Sequence, residues 1–180
     1  MPEPEFFPVI CTVDIPTPVV EKFLKDAYTG SEQLVPGTSP SLVILTTSNT
    51  SDKGSDALTS SASQPPVQSF TSPFLGQSVE DAARHPVLQN ASFFAVLDEH
   101  SARDSTALLA ARDPNGSVDT VRVAFSAVQR TLISLDIGSI GFAEIQSIAD
   151  TQGNGGVYGS SVSTQRPQKG GPAPRKKLGA

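Results

Sequence analysis

The chain has 180 residues, is 37% hydrophobic and carries a net charge of −5 with a single cysteine. That length favours one domain, and the lone Cys11 excludes an internal disulfide and, with only two histidines, a Cys/His zinc set. Arg166, Lys169, Arg175, Lys176 and Lys177 put five of the bases and no acid in the last twenty residues, so residues 1–160 hold 18 acids against 8 bases. Such an acidic body repels phosphate backbones and makes nucleic acid an unfavourable partner.

The opening "MPEPEFFPVI" has neither the basic start nor the apolar core of a secretory signal. No apolar run approaches the ~18 residues of a membrane helix. The expected compartment is the cytoplasm, with the nucleus as the alternative that the weak basic signal "PRKKL" leaves open. The N-x-S triplets at Asn49, Asn90 and Asn115 are then expected to stay unmodified.

In chain order, "PVICTVD" (8–14) is rich in β formers and predicts a strand ending in Asp14. "TPVVEKFLKDAYTG" predicts a helix, with Thr17 as N-cap, Pro18 at the first position and Gly30 as the stop. Val20, Phe23, Leu24 and Ala27 fall on one face of it. The apolar run "SLVILTT" predicts a buried strand, which completes a βαβ unit with a right-handed crossover.

Residues 48–66 are small, polar and proline-bearing, and predict a disordered insert. "SVEDAARHPVLQN" predicts a short helix capped by Ser78 and interrupted by Pro86. Three strands follow: "FFAVLDE", then "TALLAAR" after a loop over residues 100–105, then "VDTVRVAF" after the turn signal "DPNG". "SAVQ" has the capping-box pattern, with Ser126 as cap and Gln129 at the third position. "GFAEIQSIAD" predicts a last helix through Phe142, Ile145, Ile148 and Ala149. The glycines of "GNGGVYG" read as a helix stop leading to a disordered basic tail over 160–180.

Chemistry-bearing residues are sparse. Asp14 ends the first predicted strand, and Asp98 and Glu99 end the third. If those strands are parallel neighbours, the three carboxylates share the rim where α/β sheets bind ligands. There they could take Mg²⁺ or serve as acid and base, with His100 beside them. The pattern lacks the second acid of a two-aspartate phosphatase, since position 16 is Pro. His85 reads as a helix-end residue and Cys11 as a small buried hydrophobe. "GNGGVYG" follows a helix rather than a strand, against the order a dinucleotide loop requires.

The stretch from Thr106 to Gly159, with "RVAFSAVQ", "LDIGSIGFAEI" and "GVY", resembles the C-terminal half of an uncharacterised α/β domain family seen in actinobacterial and fungal proteins. "VICTVD" is similar to that family's first strand, which also ends in an acid. The resemblance covers roughly 8–159, departs from the family over 48–66, and implies a compact α/β fold with no established activity.

The expected fold is α/β with α+β character: a mixed sheet of about five strands with a βαβ start, an antiparallel meander and C-terminal helices, spanning residues 1–159. The expected function is a small soluble interaction or regulatory module, without catalysis or cofactor and with a protein partner. The alternative is a metal-assisted hydrolase using Asp14, Asp98, Glu99 and His100.

Overall fold

A computed structural model of the chain describes residues 6–51, 61–151 and 155–160. The βαβ start is formed by β1 (Phe7–Cys11), α1 (Thr17–Glu32) and β2 (Leu42–Ile44). After α2 (Thr47–Ser51) and α3 (Val79–Ala83), a 3₁₀ turn at Pro86–Leu88 leads into β3 (Phe93–Leu97). Then come α4 (Glu99–Asp104), β4 (Thr106–Arg112), β5 (Val118–Ala124), α5 (Phe125–Asp136), α6 (Phe142–Thr151) and β6 (Val157–Tyr158). The six strands make one mixed sheet in the order β2-β1-β3-β4-β5-β6. β1 lies parallel to both β2 and β3, β3-β4-β5 form the antiparallel meander, and β6 joins β5 in parallel.

Both faces of the sheet are covered, which explains the continuous apolar runs. Ala95 and Leu97 pack with the core formed by α1, α5 and α6, while Phe94 and Val96 pack with Phe74, Ala82, Ala83 and Leu88 on the other face. This is the period-two alternation of a strand buried on both sides.

On α1, Val20, Phe23, Leu24 and Ala27 are all buried, as their spacing predicts. The ends differ from expectation. The N-cap position is Pro16, one residue before the predicted cap, and no side chain caps it. Gly30 is no stop but a buried residue inside the helix. A Cβ there would lie 1.8 Å from the Ser126 carbonyl oxygen, so glycine is what lets α1 and α5 approach. Phe23 and Phe125 meet edge to face at this crossing, with centroids 5.0 Å apart.

The predicted capping box of α5 is also corrected. β5 runs straight into the helix, Ala124 takes the cap position, and Ser126 is an exposed first-turn residue. Gln129 is buried and bonds elsewhere: its Oε1 accepts from Ser41 N and its Nε2 donates to Ser39 O, both at 3.2 Å. Ser78 does cap α3, accepting from Asp81 N at 3.1 Å.

The expected insert 48–66 is docked at both ends. Asn49 closes α2 by accepting from Thr46 N and donating to Ile44 O. Ser63 lies along the outer edge of β2, its N–H donating to Leu42 O at 2.8 Å and its Oγ accepting from Ile44 N at 2.9 Å. Residues 52–60, and the basic tail over 161–180, lie outside the described residues.

Two further elements differ from the sequence reading. The loop predicted after β3 is the helix α4, and the "GVYG" stretch forms the sixth strand. Positive φ angles at Gly155, Gly156 and Gly159 turn the chain into and out of β6 instead of only ending a helix.

Candidate functional site

β1 and β3 are parallel neighbours, so Asp14 and the Asp98–Glu99 pair do leave the sheet at the same edge. Their surroundings differ. Ser72–Gly76 crosses the end of β1, with Ser72 Oγ donating to Cys11 O and Gly76 N to Thr12 O, and buries Phe74 beside the sheet. Asp14 stays exposed beyond it. Among the described residues, no group of three or more His, Cys, Asp or Glu side chains could hold a metal ion. The metal centre that the hydrolase alternative needs is therefore not seen among the described residues.

Asp98 is committed to the protein itself. Its oxygens accept both guanidinium nitrogens of Arg122, at 2.9 and 2.5 Å, in the bidentate geometry that suits arginine. It also accepts from His100 N and Ser101 Oγ, while Ser101 Oγ accepts from Asp98 N, closing a capping box on α4. This capping turns the chain into helix immediately after β3. Only 16% of the Asp98 side chain and 20% of the Arg122 side chain are exposed. Burial alone would raise the Asp98 carboxyl, but Arg122, Ser101 and the His100 N–H outweigh it and hold it below the usual carboxylate range.

The neighbouring groups face water. Glu99 is exposed, and its Oε1 lies 3.8 Å from His100 Nε2. His100 Nδ1 lies 3.4 Å from Asp104 Oδ2 and also meets Arg103 Nη2. The hydrogen bond and charge of Arg103 pull the Asp104 carboxyl below its ordinary value. His100, Asp104, Thr106, Arg122 and the β6 segment enclose a polar cleft of about 560 Å³. His85 accepts from Val87 N and stacks edge-on against Phe74, in a structural role. Cys11 is buried in β1, and burial, then the charge of Asp14, pushes its thiol up to about 12, where it is a poor nucleophile.

The feature missed by sequence reasoning is an apolar groove of about 540 Å³ between the end of α1 and the second half of α5. Leu34, Val35, Ile133, Ile137 and Ile140 supply its walls, with Ser31, Thr38, Arg130, Thr131, Ser134 and Tyr158 around them. Glu32 holds one wall by accepting from Gly37 N, and the Gly138 turn at the end of α5 presents Ile137. β6 serves both cavities, since Val157 lines the polar cleft and Tyr158 the groove, as alternate residues of a strand must. The signal was present in "EQLVPG" and "LDIGS", where large apolar residues sit beside turn glycines past a helix end rather than on a helical stripe.

No family model matches the chain, and no curated protein matches it in sequence. No helix among the described residues is long and apolar enough to cross a membrane.

Proposed function

We propose that the protein is a non-catalytic regulatory module of the cytoplasm or nucleus that works by taking an apolar molecule into the groove between α1 and α5. One observation carries this reading. Of the four large apolar side chains exposed among the described residues, three line that groove: Leu34 at 62%, Val35 at 63% and Ile137 at 70%. Scattered single apolar residues are ordinary on a surface, whereas a cluster around a concavity indicates a binding site. The volume is in the range of small-molecule sites. The engagement of Asp98 with Arg122 favours binding over rim chemistry. Occupancy would alter the surface that a protein partner reads.

The test uses Nile red, a neutral apolar dye. The intact chain is expected to give saturable fluorescence at one site. Val35→Asp and Ile137→Asp place a charge on exposed positions, where folding is little affected, and are expected to abolish the signal, while Asp98→Asn retains it. Equal dye binding by the groove variants and the native chain would overturn the proposal.

A further inference from the structure

The groove also holds a charge that meets no opposite charge among the described residues. Five arginines fall among the described residues. Four of them have partners: Arg84 holds Asp81, Arg103 holds Asp104, Arg112 donates to Gln89 O, and Arg122 holds Asp98. Arg130 alone makes no hydrogen bond or ion pair with any described residue, although the chain up to residue 160 has more than twice as many acids as bases. It is half-buried in the groove lining, close to Gly159, where an added Cβ would stand 3.4 Å from its Nη2 and 2.4 Å from Ala127 Cβ. The bare glycine backbone therefore packs against α5 beside the guanidinium. A second polar group lacks a partner here: Ser31, in the lining and only 3% exposed, has a buried hydroxyl with no hydrogen bond. Buried hydroxyls are normally satisfied, and this one, closed off from water, reaches a ligand atom in the groove by rotating about its Cα–Cβ bond.

We infer that the groove is a carboxylate site that takes an elongated apolar acid, with Arg130 on the head group, Ser31 as a further donor, and Leu34, Val35 and Ile137 along the chain. This rests on the binding-module reading above and specifies the ligand class. A guanidinium matches a carboxylate through two parallel hydrogen bonds. Among the described residues Arg130 is the only cation in the lining, which suits a monoanion better than a phosphate dianion. The apolar walls select the body of the ligand.

The experiment titrates the intact chain at neutral pH with decanoate, decanol and acetate below micellar concentrations, followed by calorimetry and thermal melting. Decanoate is expected to bind at one site and raise the melting midpoint. Decanol should bind about tenfold to a hundredfold more weakly, the worth of a charge-assisted hydrogen bond, and acetate not measurably. Arg130→Gln should reduce decanoate to the level of decanol without changing decanol itself, which shows that the variant is folded and its groove intact. Arg130→Lys should recover part of the loss. If decanoate binds no tighter than decanol, or Arg130→Gln leaves it unchanged, the carboxylate inference falls while the groove reading stands. If Nile red binds but neither ten-carbon probe does, the inference falls alone. If the dye fails as well, the reading beneath it falls with it.

Discussion

Asp98 carries the clearest energetic assignment of any single residue. Asp98→Asn keeps an acceptor for the cap of α4 but leaves Arg122 with an uncompensated charge in a mostly buried setting. The expected loss is about 1–3 kcal/mol of folding stability, measured by denaturant unfolding at neutral pH. The pH dependence follows from the lowered carboxyl. A carboxylate whose folded value lies below its unfolded value, about 3.9, contributes fully above that value and loses its contribution as pH falls through the folded one. The gap between native chain and variant should therefore be complete at neutral pH and close in acid below about pH 4. A gap that persists unchanged in strong acid would show that the pair is not what holds the difference. The sequence put Asp98 at the correct edge of the sheet but in water. The error came from its partner: the alternation of "VRVAF" places Arg122 on the face opposite Val121 and Val123, but only the register, with Leu108 opposite Arg122 in the β4–β5 pairing, brings it beneath Asp98. Register is fixed by turns and packing together, which a single strand does not disclose.

Among the elements, the contact between α1 and α5 is the most exacting. Gly30→Ala removes a residue that costs a helix interior about 1 kcal/mol in propensity. Here the new Cβ would collide with backbone at Ser126, which cannot rotate away. The crowding is expected to outweigh the gain and lower stability by about 1–3 kcal/mol, read as a shifted denaturation midpoint at unchanged slope. A raised midpoint would mean that the two helices stand farther apart than described. Elements with strong local signals were legible: the stripe of α1, the Ser78 cap of α3 and the "DPNG" hairpin. Those decided by neighbours were not. α4 exists because Asp98 caps it, α5 starts early because β5 runs directly into it, and β6 is two residues long and takes its strand geometry from β5.

For the whole molecule, the class of fold was readable and the sixth strand was not, because a mixed sheet covered on both faces leaves a strong apolar pattern everywhere except at its edges. Cys11 offers a global probe. It lies in β1, flanked by β2 and β3 and covered by the α1–α5 core, and its thiol is pushed up to about 12 by burial and by Asp14. An aromatic disulfide reagent is expected to leave it untouched in the native state and to react fully on unfolding. The opening free energy from labelling rates in mild urea should match that from equilibrium unfolding, since exposing Cys11 requires the sheet to separate. Labelling at a rate indifferent to urea would reveal a local opening at β1.

The pairing of α1 with α5 also sets a timetable for synthesis. The apolar stripe of α1 leaves the ribosome before its partner, and Phe125 and the rest of α5 follow only after roughly a hundred more residues, which at about 5–20 residues per second is on the order of ten seconds. β1 waits in the same way for β3, its second neighbour. Through that interval Phe23 and Leu24 are displayed without the α5 residues that share their core, Phe125, Val128 and Leu132 among them. Slowing translation between β2 and α5 is expected to lengthen this exposure and to raise the fraction of chains that aggregate during synthesis.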